Sequence, residues 1–245
     1  MSKETKILIA IAGAVILGGV LLAIFANPQP KEPGAPVDTN SLIREHNYVL
    51  GNRDAKVTIV EFADYQCPAC KAANPILKRL MDEYKDNPDV ALVFKNFPLD
   101  SIHPNARIGA EAAEAAGEQG KYWEMNELLY NNQEQWSSNP NPLELLVNYA
   151  QQIGVENIDQ FRESVQIRKY NEIISADVSD GESLGVNSTP TIYVNGTKLD
   201  NYQYDTIKNA IIAELIGSGD QQSVTPEMTI PAEDLTVPPS TEPQQ

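Results

Sequence analysis

The sequence predicts an α/β domain in which a βαβ unit and a ββα unit share one sheet, with a helical subdomain inserted between them. Three observations carry this. Two β-branched runs, Val57–Phe62 and Val90–Phe97, flank a segment with helical spacing of apolar residues. About 80 residues without a strand pattern follow, roughly 104 to 184. Then a short apolar strand meets Asn195-Gly196, a hairpin turn signal, ahead of a last amphipathic segment.

Each element follows from local chemistry. Val57 to Phe62 (VTIVEF) is β-branched and aromatic, interrupted only by Glu61, and reads as a buried strand. Cys67 to about Tyr84 reads as a helix. Pro68 suits its first turn, Ile76, Leu77, Leu80 and Met81 form its apolar stripe, and Pro75 predicts a kink. The next strand, Val90 to Phe97, lies parallel to the first, because a helical crossover returns the chain in the same direction. In the helical block, Ala106–Ala116 is rich in Ala and Glu. Tyr122–Asn132 carries Trp123, Leu128 and Leu129, and Tyr122, Trp123 and Trp136 read as core or rim of the insert. Asn141 is expected to cap a helix that starts at Pro142 and runs to Ile153. One further helix is expected from about Glu163 to Leu184. Thr191–Val194 and Thr197–Leu199 are the hairpin strands, and Asp205–Ile216 closes the domain with Gly217 as its stop.

The rest of the chain is not domain-like. Ile7 to Ala26 is a run without a polar side chain, about 30 Å long as a helix, which matches a bilayer's hydrocarbon core. Lys3 and Lys6 precede it, so the N-terminus is expected in the cytoplasm and everything after Asn27 outside it. A cleaved signal peptide is the rival reading, but its apolar region is ordinarily shorter. Both readings export the chain, and residues 1–26 are expected to be an uncleaved single-pass anchor in the cell membrane. Residues 27–42 hold four prolines and read as a semi-extended linker. Residues 218–245 carry five acids, five prolines and no Lys or Arg, and read as a disordered tail. That leaves 43–217 as the folded unit.

Composition excludes whole classes of function. The net charge of -16 argues against nucleic-acid binding, which needs Lys and Arg to neutralise phosphates. Two cysteines exclude both a disulfide-dense scaffold and a four-cysteine zinc site. The two are Cys67 and Cys70, in Cys-Pro-Ala-Cys, directly after a strand and opening a helix. That spacing lets both sulfurs reach one bond. A zinc half-site would need two more ligands, and only His46 and His103 are available. A purely structural disulfide over so short a loop stabilises little. A redox pair fits better, because unpaired amides at a helix start favour a thiolate. Cys67 is then expected to be the exposed nucleophile and Cys70 the buried resolving partner, acting through a mixed disulfide.

VTIVEFADYQCPACKAANP resembles the active-site segment of the thioredoxin superfamily, in particular its DsbA-like branch of exported thiol–disulfide oxidoreductases. Glu61 stands six residues before the first cysteine, as that superfamily's buried carboxyl does, and Pro75 stands where its helix kinks. FPLDSIHPNA leading into AGEQGKYWEMNELL is similar to the start of the branch's helical insert. GVNSTPTIYVNG is similar to its cis-proline loop. The resemblance covers about 46–216.

It implies a thioredoxin-like fold and disulfide formation in extracytoplasmic proteins, with no cofactor and no metal. It implies catalytic roles for Cys67 and Cys70, with Glu61 as proton relay for Cys70. Thr189 and Pro190 are implied to bind substrate opposite the cysteines, where Pro68 and Ala69 complete the surface. Reduced exported proteins are the implied substrates, and a membrane or soluble redox partner the implied recycler. Ala69 stands where strongly oxidising members have His, which implies a milder oxidant. A reductase or isomerase of the same fold, or a holdase-like binding module, is the alternative. His103 reads as a residue leading into a helix rather than a catalyst.

Overall fold

The computed structural model describes residues 37–38 and 42–217. The expected anchor and the acidic tail lie outside the described residues, as does most of the linker. Among the described residues no helix is long and apolar enough to cross a membrane.

The described chain builds a five-stranded sheet in the order β1-β3-β2-β4-β5. Its strands are β1 (Val49–Gly51), β2 (Val57–Ala63), β3 (Val90–Asn96), β4 (Thr191–Val194) and β5 (Thr197–Lys198). β2 and β3 run parallel, with Glu61 opposite Phe94. β1 with β3, β2 with β4, and β4 with β5 are antiparallel. Helix α1 (Pro68–Glu83) makes the crossover from β2 to β3 and continues through Pro75. The insert contributes α2 (Ala106–Gly117), α3 (Tyr122–Asn131), α4 (Gln133–Ser137), α5 (Leu143–Gln152), α6 (Ile158–Gln166) and α7 (Asn171–Ser183). α8 (Tyr204–Gly217) closes the domain.

Every residue of β2 and β3 is buried, so the faces are told apart by their neighbours rather than by polarity. Val57 and Ile59 join Leu77, Leu80, Ile207 and Ile211, the layer under α1 and α8. Val60 and Phe62 join Phe97, Val186 and Tyr193 on the other face. Strand alternation therefore turns Glu61 toward α1.

The structure departs from expectation at definite points. β1 was not expected; it is a three-residue edge strand with no alternation to reveal it. The single helix expected over Glu163–Leu184 is two, because Arg168 turns the chain at φ 54°. Asn157 caps the first of these, its side chain accepting from the Gln160 amide. α4 was also not expected, and Pro142 rather than Asn141 occupies the cap position of α5. The hairpin turn takes positive φ at Asn195 and Gly196, as an Asn-Gly turn demands. Tyr122 and Trp136 are buried and Trp123 partly buried in the insert core. Gly109 lets that core close, since a Cβ there would stand 2.8 Å from Trp136.

Lys95 is a buried cation on the α7 side of the sheet. Its Nζ donates to the Leu42 carbonyl at 2.8 Å and pairs with Asp180 at 2.5 Å and Asp177 at 3.1 Å. Asp177 also accepts from Asn47 Nδ2 and the Asn96 amide. Leu42, expected at the end of the linker, is thereby buried against the domain.

Candidate active site

The site lies at the C-terminal end of β2, where the chain turns into α1. Asp64 builds the turn: its Oδ1 accepts from the Gln66 amide at 2.7 Å, and its carbonyl accepts from the Cys67 amide at 3.1 Å. Its Oδ2 accepts from the Leu99 amide and lies 2.7 Å from His103 Nδ1. His103 thus ties the loop before α2 to the turn, in keeping with a structural reading of that residue. The insert grips the same turn from the other side. Gln133 Nε2 donates to the carbonyls of Tyr65 and Cys67 at 2.8 and 2.9 Å, and Gln66 Nε2 donates to the Ser137 carbonyl.

Cys67 occupies the N-cap position of α1, with extended backbone, and Pro68 opens the helix. Cys70 is fully buried one turn on. Cys67 was expected to be exposed; only 7% of its surface is open. The thiol donates to the Thr189 carbonyl at 3.4 Å, and the Thr189-Pro190 peptide is cis. The structure therefore brings Cys67, Cys70 and Thr189 together, with Pro68 exposed and Ala69 half-buried beside them.

The two sulfurs differ in acidity. The Cys67 pKa is lowered to about 5, first by the hydrogen bond from the Cys70 thiol. Burial opposes this, while the backbone amides of Cys70 and Ala69 reinforce it. The Thr189 hydroxyl is buried without a partner of its own. Burial drives Cys70 far the other way, helped by its bond to Cys67 and by the charge of Glu61. Attack and departure at Cys67 are thus favoured as thiolate, and Cys70 holds its proton.

Glu61 is 3% exposed, and its Oε1 has no hydrogen-bond partner. Burial, then the charge of Cys67, pushes its pKa up to about 8. Tyr130 was not singled out from the sequence. It is buried, its hydroxyl is unpartnered, and the charges of Cys70 and Glu61 are among the groups that raise its pKa. Gln133 and Asp64 were also missed. Asp64 adjoins the motif and was findable; Gln133 carries no local signal. Among the described residues no cluster of three or more His, Cys, Asp or Glu is placed to hold a metal ion.

Comparison with known proteins agrees with this geometry. The chain is similar to a probable disulfide bond formation protein D of Bacillus cereus, 32% identical over 85% of this chain and 94% of that protein. It is similar in structure to BdbD from Bacillus subtilis in its oxidised form, with a TM-score of 0.65 and 28% identity, covering 74% of this chain and 96% of that one. It also resembles a Na(+)/H(+) antiporter NhaA 3 of Salinispora tropica, 37% identical over 73% of this chain. The chain spans about a quarter of the length of that antiporter. A family profile described as Thioredoxin matches residues 44–213, most of the chain and nearly all of the described fold, and the chain belongs to the thioredoxin family.

Proposed function

We propose that the chain is an exported thiol–disulfide oxidoreductase that introduces disulfides into extracytoplasmic proteins. The observation that carries this is geometric: Cys67 caps α1 with its thiol 3.4 Å from the carbonyl of the cis Thr189-Pro190 peptide and Cys70 lies buried one turn on, an arrangement that favours the Cys67 thiolate. A stabilised thiolate stabilises the reduced form, and a pair whose reduced form is stabilised is an oxidant. Disulfide formation then runs as follows. A client thiolate attacks Cys67 Sγ of the Cys67–Cys70 disulfide. Cys70 leaves and takes a proton from Glu61. A second client thiolate attacks the client sulfur of the mixed disulfide, and Cys67 departs as thiolate. The client loses two electrons and the pair gains them. The Thr189 backbone pairs with the client strand beside Pro190, and Pro68 and Ala69 form the rest of the contact.

Export rests on the apolar run Ile7–Ala26 and its basic flank, which we take as a membrane anchor. A separate redox partner must reoxidise the pair, since the chain holds two cysteines only. The expected potential lies above about -270 mV and below about -120 mV, because the helix start favours the Cys67 thiolate while Ala69 adds no cationic ring to it.

The test is turnover of a reduced, disulfide-requiring client by the oxidised protein, with Cys67→Ala as control. Oxidation that depends on Cys67 supports the proposal. Client binding without oxidation would make the chain a holdase-like module, and a potential at or below thioredoxin's would make it a reductase.

A further inference from the structure

Asp64 follows the last residue of β2 and stands three residues before Cys67. It is 1% exposed, and its carboxylate is met by three donors rather than by a Lys or Arg. Oδ1 accepts from the Gln66 amide at 2.7 Å. Oδ2 accepts from the Leu99 amide at 2.9 Å and from His103 Nδ1 at 2.7 Å. The local turn needs only the first of these bonds, and Asn or Ser would serve it as well. Two donors converging on Oδ2 need a carboxylate, because an amide nitrogen in that place would itself donate. A buried charge is costly, so the pattern points to a task beyond the turn.

That task lies in the Asp64 backbone. Its carbonyl accepts from the Cys67 amide at 3.1 Å, next to the start of α1. In the preceding peptide, the Ala63 carbonyl accepts from the Phe97 amide at 2.8 Å, one step beyond the pairing of Ala63 with Asn96. The N–H of a trans peptide points opposite to its C=O, so the Asp64 amide is turned away from β3. Burial, the bond to Cys67 and the charge of Glu61 disfavour the Cys70 thiolate, whereas the Asp64 backbone favours it. One peptide group of Asp64 therefore serves each cysteine. Asp100 and Arg107, close by in sequence, pair with each other at 2.7 Å rather than with Asp64.

We propose that Asp64, tied to the 99–103 loop through Leu99 and His103, is a positioning residue that holds the Cys67 and Cys70 sulfurs in their reacting geometry and so sets how strongly the pair oxidises. The inference rests on the redox role proposed above. His103 acts in it as the outer anchor of Asp64 and not as an acid or base. Position and charge predict opposite signs. A slack turn weakens the bonds that favour the Cys67 thiolate, so the reduced form loses stability and the potential falls. Removing a negative charge near Cys67 would by itself favour the thiolate and raise the potential.

The experiment compares the full-length wild type with Asp64→Asn by two readouts that need no client. One is the pH profile of Cys67 alkylation by iodoacetamide in the reduced protein; the other is the redox equilibrium with glutathione. Asp64→Asn keeps the size and the bond to Gln66, but sets a nitrogen against the Leu99 amide. Its alkylation midpoint should rise by about 0.7 pH unit, and its equilibrium should shift about fivefold toward the disulfide, about 20 mV, the scale of one weakened hydrogen bond. His103→Leu should move both readouts the same way by about twofold. His103→Asn, whose amide nitrogen takes the place of Nδ1, should return both to wild type. If Asp64→Asn does not fold, the two His103 variants carry the test. Unmoved readouts beside a lowered urea midpoint would make Asp64 merely structural and overturn the proposal. A lower alkylation midpoint with a higher potential would make it an electrostatic group and overturn it equally. Client oxidation by the wild type is scored separately: its absence beside the expected shifts would sink the oxidase role and leave the positioning in place.

Discussion

Replacing Cys70 by Ala asks what keeps the Cys67 sulfur ionised. The largest contribution comes from the Cys70 thiol, ahead of the amides of Cys70 and Ala69. A hydrogen bond to a charged group contributes about 1.5–3 kcal/mol net. At about 1.4 kcal/mol per pKa unit, its loss moves the Cys67 midpoint from about 5 to about 6–7. The rate of alkylation then changes in two opposed ways. Near pH 5 the variant has about 5–50-fold less thiolate, while its higher pKa makes that thiolate about 3–8-fold more nucleophilic, for a net slowing of about 2–6-fold. Near pH 9 Cys67 is ionised in both proteins and the variant is faster by about 3–8-fold. The rate profiles should therefore cross. Iodoacetamide alkylation across this range, read by mass spectrometry, measures it. Cys70→Ser keeps a donor and should stay close to wild type. An unshifted midpoint in Cys70→Ala would refute the reasoning and return the thiolate to the helix end alone.

Glu61→Gln should change how the stability of the reduced protein depends on pH. The folded pKa of Glu61 is raised, so the neutral carboxyl's contribution is full below about 4.5 and is lost as pH rises through about 8. The variant should gain on wild type across that window, by up to about 5 kcal/mol at about 1.4 kcal/mol per unit, in urea midpoints taken at both ends. Gln133→Leu strips the Tyr65 carbonyl of its side-chain partner and should cost about 1–3 kcal/mol in thermal unfolding. It should leave the Cys67 midpoint in place, because neither of its bonds reaches sulfur. Lys95→Met leaves Asp177 and Asp180 without their buried cation and should cost about 3–5 kcal/mol. Hydrogen exchange should show the loss first at residues 42–47.

The elements with strong periodicity were legible before any coordinates. β2, β3, β4 and the Asn195-Gly196 turn fall where β-branched residues and turn chemistry put them. What escaped was decided by tertiary contact. β1 exists because β3 offers an edge, and its half-buried residues carry no pattern of their own. The division between α6 and α7 is a single left-handed Arg168, a residue type that gives no warning of positive φ. Leu42 lies in a proline-rich context, yet it is buried and its carbonyl accepts from Lys95, 53 residues away. The same holds for the site. Cys67, Cys70 and Glu61 stand within ten residues of one another, and their spacing after a strand points to their chemistry. Gln133 and Tyr130 reach the site from the insert, and only the fold brings them there.

The origin of the Cys67 thiolate was the part least open to sequence reasoning. A cysteine at a helix start suggests stabilisation by free amides and the positive helix end. Pro68 removes the amide nearest the cap, since proline has none. The amides of Ala69 and Cys70 remain, and both act, but behind the Cys70 thiol. Burial keeps the proton on Cys70, while the Cys67 thiol is shifted toward the thiolate. Glu61 presses on the same proton, since its charge further disfavours ionisation of Cys70. Groups coupled this closely titrate as a set, so a measured midpoint belongs to the pair rather than to one sulfur. A potential lower than that of Ala69→His is therefore expected in a titration against glutathione, because Ala69 brings no cationic ring to the Cys67 thiolate, and equal potentials would refute that reasoning.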